Sequence, residues 1–271
     1  MKRIAFISLI FAILCLRALA GGILTVASTM SPYDTGLYDE LLPKFEQQYG
    51  CRIYLYSVPT GKALGLLQAG NADVAVVHDR QAEDAVLKAG YASSARDVMY
   101  NDFVLVGPLD NPAGVDSSLP DAKAALSRIQ TARTRFYSRA DMSGTHQKEV
   151  ALWREAGIEP VDSEWYYQTG LGTVKVLAKA NQDGAYTLAD RATWLTYGND
   201  YPNLTILCQR DPLMLNYIRV LVGAPAKYPH LKYGLAAKFV EFITSPEVQE
   251  MIRNSGVDKY GEPLYIPNAE K

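Results

Sequence analysis

The chain has 271 residues, 48 % of them hydrophobic and 21 % charged, with 27 basic side chains against 29 acidic ones. A chain of this length can build one large core or two modest ones. Its net charge of −2 argues against the strongly basic surface by which proteins hold nucleic acid or an anionic membrane.

Met1-Lys2-Arg3, the apolar run from Ile4 to Leu16 and the small residues of Ala18-Leu19-Ala20 ahead of Gly21-Gly22 read as a secretory signal over residues 1–20, cleaved after Ala20. Cys15 would suit a lipid anchor, but bulky Leu14 precedes it where a small residue is expected. The apolar run is too short for a comfortable membrane span, and no later segment approaches one. Cleavage removes Lys2, Arg3 and Arg17, so the basic count falls from 27 to 24 against 29 acids and the net charge moves to about −5. Cys51 and Cys208 remain. Both lie in apolar, strand-like stretches and are expected as two buried free thiols, although export permits a disulfide.

Ile23 to Ala27 reads as a buried strand, followed by the hydroxyl-rich Ser28-Thr29-Met30-Ser31 and the turn residues to Gly36. Leu37, Leu41, Phe45 and Tyr49 then fall four apart on one helical face, and Gly50 takes the position that ends such a helix. Arg52 to Val58 is the next strand. Pro59-Thr60-Gly61-Lys62 leads from it into a helix ended by Gly70. Ala72 to Val77 forms a third strand, closed by His78-Asp79 and a helix to Gly90. Strand, loop and helix repeated in this way predict a doubly wound sheet, which binds ligands beyond its C-terminal strand ends. A long strand, Asp97 to Pro108, precedes turn chemistry at Asp110 to Gly114, a candidate crossing into a second unit. Further along are a helix from Ala122 to Thr131 and a strand from Thr134 to Ser138. Helices are also expected from Ser143 to Gly157 and from Val174, a strand over Gly184 to Leu188, and a helix from Asp190. Strands at Leu204–Cys208 and Tyr217–Gly223 run back. The chain ends in helices, the last with Ser245 as N-cap and Pro246 at its first position.

The densest chemistry is in Ser138-Arg139-Ala140-Asp141-Met142-Ser143-Gly144-Thr145-His146, a strand-to-helix passage. A helix start exposes unpaired N–H groups and the positive end of its dipole, which suits an anion. Arg139 adds a planar fork of donors. The same residues read equally well as an ordinary N-cap beside a surface arginine. Metal ligation finds little support, because His78, His146 and His230 are far apart in sequence and no Cys pair has ligand spacing. No G-x-S-x-G elbow and no phosphate-binding G-x-x-x-x-G-K-[ST] loop is present, so no enzyme is expected. What recurs instead is Ser, Thr and Gly at predicted helix starts, a set of neutral donors able to surround a small dianion.

Tyr33-Asp34-Thr35-Gly36-Leu37, Thr60-Gly61, Val77-His78-Asp79, Asp97 to Val104, Ser138-Arg139, Ser143 to His146 and Ala185 to Arg191 carry a family resemblance. The whole stretch after residue 20 resembles the tungstate-binding proteins of tungstate ABC transporters, within the two-lobed periplasmic binding-protein superfamily. The resemblance implies an α/β, type II fold in which each lobe is a mixed sheet flanked by helices and the ligand lies in the cleft between lobes. Residues 21–107 plus 214–271 are expected as one lobe and 108–213 as the other. Carried over position by position, the ligand set is Ser28, Thr29, Ser31, Thr60, Gly61, Arg139, Ser143, Gly144, Thr145, Gly170 and Gly172. They would hold tungstate or molybdate through its oxygens, with no metal site of the protein's own and no cofactor. The implied setting is a periplasmic monomer that delivers to a membrane ABC permease, with no nucleic-acid partner.

Three departures bear on anion choice. Met30 removes a hydroxyl from the first loop, Lys62 stands where the family has glutamine, and Thr173 stands where it often has methionine. The Arg139-x-Asp141-x-Ser143-Gly144-Thr145 run also resembles the ligand loop of phosphate-binding proteins. Phosphate keeps a proton near neutral pH and needs an acceptor, for which Asp79 or Asp141 is the candidate. An exported phosphoesterase using Asp79 or His146 is the reading from a different class.

Overall fold

The computed structural model describes residues 21–161 and 163–269. The expected signal, residues 1–20, lies outside them. Strand β1 (Ile23–Ser28) runs into a one-turn helix α1 (Met30–Asp34), so part of the hydroxyl cluster expected as loop is itself helical. The amphipathic helix α2 (Leu37–Tyr49) buries Leu37, Leu41 and Phe45, and Gly50 ends it in the left-handed conformation at φ 61°. Strand β2 (Arg52–Ser57), helix α3 (Thr60–Gln68), strand β3 (Val74–Val77) and helix α4 (Arg80–Lys88) complete the winding. β3 starts later than its apolar pattern suggests; just ahead of it the Asp73 carboxylate accepts from the backbone N–H groups of Thr25 and Lys232, both at 2.7 Å.

The long strand β4 (Ala92–Pro108) leads to α5 (Ala122–Ala132), β5 (Phe136–Ser138), α6 (Gly144–Glu155), β6 (Tyr166–Gln168), α7 (Thr173–Asp183), β7 (Thr187–Asp190) and α8 (Arg191–Tyr197). β7 lies later than the expected strand, with Asp190 both its last residue and the N-cap of α8. Strands β8 (Leu204–Cys208) and β9 (Leu215–Gly223) return the chain to helices α9 (Tyr233–Ile243), α10 (Pro246–Asn254) and α11 (Val257–Tyr260) and the short strand β10 (Ile266–Pro267). Ser245 caps α10 by accepting from the Val248 N–H.

The strands run in the order β10-β4-β9-β3-β1-β2, and β7 and β8 also pair with β4. β1 is parallel to β2 and β3, whereas β9 is antiparallel to both β3 and β4. β4 changes partners along its length. Residues to Asp102 pair with β9, and from Phe103 onward they pair with β7 and β8. That change falls upstream of the turn residues Asp110 to Gly114.

Packing follows the same division. Leu24, Val26, Phe45, Val76, Val220 and Phe239 share one core, with Ala63, Leu67 and Val77 on the opposite face of that part of the sheet. Phe103, Phe136, Trp153 and Tyr186 form another core, and Val104, Val106, Leu177 and Ala189 a further one beside it. Cys51 and Cys208 belong to different cores and are buried free thiols.

Candidate functional site

A cavity of about 30 Å³ lies where the loops after β1, β2 and β3 meet the starts of α6 and α7. It has room for about two or three waters at roughly 10–15 Å³ each, far below the several hundred Å³ of organic-ligand pockets. Thr60, Gly144 and Thr173, the first residues of α3, α6 and α7, all line it. Three helix N-termini therefore converge on one point, each presenting unpaired N–H groups and the positive end of its dipole.

The hydroxyls agree with that polarity. Thr29 Oγ1 and Thr60 Oγ1 are buried and have no hydrogen-bond partner among the described residues. Leaving such a group unpaired costs about 1–3 kcal/mol, so each is suited to bond a group that a ligand brings. Opposite them is Arg139, 5 % exposed. Its Nε and Nη2 reach Asp141 Oδ2 at 3.1 and 2.5 Å, and its Nη1 donates to Thr145 Oγ1 at 3.3 Å and Thr173 Oγ1 at 2.5 Å. Both threonine oxygens accept from the guanidinium, so their own protons are left to donate elsewhere.

Asp141 braces the loop. Its other oxygen accepts from the Ser143 N–H at 3.1 Å. Burial alone would raise its carboxyl, but the Arg139 charge and the bonds from Ser143 and Arg139 outweigh burial and hold it below the usual range. The flanking Ala140 and Met142 sit at φ 47° and 59°, a left-handed conformation that costs non-glycine residues on the order of 1 kcal/mol each. Ser143 caps α6 by accepting from the His146 N–H, and the Met142 N–H donates to His146 Nδ1 at 3.2 Å. Beneath the loop, Glu149 accepts from Tyr166 Oη at 2.7 Å and from Trp153 Nε1 at 3.3 Å.

The cavity also has acidic walls. Asp34 and Asp190 line it. Asp190 accepts from Ser31 Oγ at 2.7 Å, from the Thr193 N–H at 3.0 Å and from Thr193 Oγ1 at 2.6 Å. Burial pushes the Asp34 carboxyl up, Asp190 adds to this, and Arg139 opposes it.

Residues 19–247 match the model of the PBP superfamily domain. The chain is 41 % identical over 253 residues to the tungstate-binding protein TupA of Peptoclostridium acidaminophilum, covering 93 % of this chain and 88 % of that protein. The chain belongs to the tungstate-binding protein family. The solved tungstate-binding protein TupA of Desulfovibrio alaskensis G20 superposes with a TM-score of 0.79 at 37 % identity, over 92 % of this chain and all of that one. The structure titled as the tungstate ABC transporter from Geobacter sulfurreducens gives 0.77 at 40 % identity, over 85 % of this chain and 97 % of that one. The mixed α/β architecture is thus that of the tungstate-binding family.

Against the family's expected ligand set, Thr29, Ser31, Thr60, Arg139, Ser143, Gly144 and Thr145 come together in the cavity wall. Four others do not line it. Ser28 is the last residue of β1 and fully buried; its Oγ lies 2.5 Å from Tyr38 Oη and donates to the Val76 carbonyl at 3.2 Å. Gly61 faces the Met142 carbonyl, Gly170 is a left-handed turn residue at φ 67°, and Gly172 precedes α7 against the Met30 methyl. Ser31 is present, but its hydroxyl proton is committed to Asp190. Lys62 is exposed and also lies outside the lining.

The sequence did not single out Asp34, Thr173, Asp190, Thr193 and Asn216 as ligands. Thr173 carried a signal, as a hydroxyl at a predicted helix start beside Gly172. Asn216 carried none, because its place depends on how β9 crosses the sheet. His78 was legible as the end of a strand and part of a family motif, without a ligand role.

Proposed function

We propose that this protein captures tungstate, with molybdate as a weaker competitor, outside the cytoplasm and delivers it to a membrane ABC permease. The observation that carries the reading is the pair of buried, unpartnered hydroxyls of Thr29 and Thr60. They face a cavity for a single small ion at which three helix N-termini and the Arg139 guanidinium meet. Tungstate and molybdate are fully deprotonated tetrahedral dianions at neutral pH, which suits a wall made mainly of donors. The relatives named for tungstate binding support the same ligand.

The expected ligand residues enter this proposal in two ranks. Thr29, Thr60, Arg139, Ser143, Gly144 and Thr145 contact the anion, while Ser31 acts through its backbone N–H. Ser28, Gly61, Gly170 and Gly172 shape the loops around it. Residues 21–107 with 214–271 form one lobe and 108–213 the other, and they close on the anion about the crossings of β4 and β9. The protein is exported after loss of residues 1–20, works as a monomer and catalyses no reaction. No helix among the described residues is long and apolar enough to cross a membrane.

Phosphate fits less well. Asp141, one acceptor it could use, is held by Arg139 and Ser143. Asp79, the other, caps α4 by accepting from the Ala82 N–H and lines a neighbouring cavity. Isothermal titration with tungstate, molybdate and phosphate tests the reading. Tungstate should bind in the micromolar range or tighter and resist competition by phosphate. Failure of both tungstate and molybdate to bind would sink it, and turnover of a generic phosphate ester would favour the phosphoesterase.

A further inference from the structure

His78 stands between two cavities. One is the anion cavity; the other, of about 270 Å³, has Arg80, Phe103 and Lys148 in its wall. The His78 ring is held on several sides. Its centroid lies 6.2 Å from that of Phe103. It abuts Gly144 so closely that even a Cβ there would overlap the imidazole. Asn216, the partner of Asn101 across β4 and β9, donates through Nδ2 to Asn101 Oδ1 at 2.7 Å. Its carbonyl oxygen is left as an acceptor; Asn216 lines both cavities together with His78, and its side chain favours the protonated ring.

A neutral imidazole has one N–H and one bare nitrogen. A neutral His78 that turns its one N–H towards the Asn216 carbonyl has no second proton to offer an oxyanion. The surrounding charges are also short of cations. Arg139 is already matched by Asp141, while Asp34 and Asp190 add carboxyl groups to the wall. Around the ring itself, burial disfavours the imidazolium most. Asp190 and Asp79 favour it and Arg139 opposes it, leaving the ring below its ordinary pKa. Lys148 and Arg80 flank it from the larger cavity. On the α6 loop, His146 is likewise lowered by burial.

We propose that His78 takes up one proton from solvent when the oxyanion binds, becoming a second donor to the anion beside Arg139. The inference rests on the oxyanion reading above. One N–H bond forms at the bare ring nitrogen, the proton leaving a solvent or buffer acid, and the bound dianion stabilises the resulting charge. The sign follows from linkage. Affinity is constant below the pKa of His78 in the free protein. It weakens by up to about tenfold per pH unit between that value and the higher one in the complex, and is constant again above it. Tungstate is a dianion near neutral pH, so a slope measured there belongs to the protein.

The test is titration calorimetry of the full chain with sodium tungstate near neutral pH, in buffers of low and high ionisation enthalpy. The observed heat should change with the buffer in proportion to proton uptake. His78→Asn should still bind, more weakly, with heat independent of buffer, while Asp34→Asn should keep the uptake. Tungstate binding with buffer-independent heat in the unmodified protein overturns the inference and leaves the oxyanion reading standing. Uptake that survives in His78→Asn, or vanishes only in Asp34→Asn, also overturns it. Absence of tungstate binding in every buffer defeats the oxyanion reading itself. If His78→Asn does not fold, the His78 ring proton resonances of the unmodified protein decide. They should titrate at higher pH with tungstate bound, and an unchanged or lower value overturns the inference.

Discussion

At the residue scale, Thr29 and Thr60 distinguish a binding site from a packing arrangement. Among the described residues Thr134 Oγ1 is also buried without a partner, but Thr29 and Thr60 combine an unpartnered buried hydroxyl with a place in the cavity wall. Thr60→Val keeps the shape and removes the unpaired group. The empty protein should therefore melt at the same temperature or slightly higher. Tungstate affinity should fall by roughly tenfold, the worth of one hydrogen bond to a charged ligand. Thermal melting and calorimetry on the same sample separate the two effects. Glu149, beneath the Arg139 loop, gives a second test. Burial raises its carboxyl to about 7, against lowering bonds from Tyr166, Ser138 and Trp153. The folded protein thus keeps Glu149 protonated where the unfolded chain, near the ordinary value of 4.5, has released its proton. Stability from this group is greatest below the unfolded pKa, falls as pH rises towards 7, and is flat above it. The loss is on the order of 3 kcal/mol. Glu149→Gln should flatten that part of a melting-temperature profile against pH. Some slope will remain, because burial also raises Glu83 to about 7.

At the element scale, the site is built from helix starts, and Gly144 shows how tightly they are set. A side chain at this position has no room beside His78. Gly144→Ala should push the α6 N-terminus and the β3 end apart, weakening tungstate binding by tenfold or more with a smaller change in melting temperature. Calorimetry would read this as a faster loss of affinity than of stability; equal losses would mark a general packing defect. The elements themselves were largely legible, because their signals are local. Leu37, Leu41 and Phe45 declare one helix face, Gly50 its end, and Ser245-Pro246 the start of another. Arg139 with Ser143, Gly144 and Thr145 could be found together because they share one passage of chain. Asn216 and Asp190 could not, since each reaches the cavity from the end of a strand whose partner lies far away in sequence. Ser28 lies outside the cavity wall for the related reason that its hydroxyl meets Tyr38 and Val76, contacts that only the folded sheet creates.

At the scale of the whole molecule, the anion should act as a staple between the separate cores. β4 passes from the β9 partnership to the β7 and β8 partnership at Asp102–Phe103, and Asn101 and Asn216 pair beside that crossing. The cavity draws its wall from both sides of the crossing, Thr29 and Thr60 on one, Arg139, Thr145 and Thr173 on the other. A ligand that bonds to both sides binds only the assembled state, so it must raise stability by mass action. Free tungstate at about a hundred times its dissociation constant should add about 2.7 kcal/mol. For a chain of this size that corresponds to a rise of roughly 5–10 °C in melting temperature. Arg139→Lys keeps one positive charge but loses the fork that reaches Asp141, Thr145 and Thr173 together. Its melting temperature should therefore respond far less to the same tungstate concentration. In a panel of tungstate, molybdate, sulfate and phosphate, the unmodified protein should respond most to tungstate and least to phosphate. An equal response to phosphate would mean that a wall carboxyl, with Asp34 the first candidate, accepts the phosphate proton.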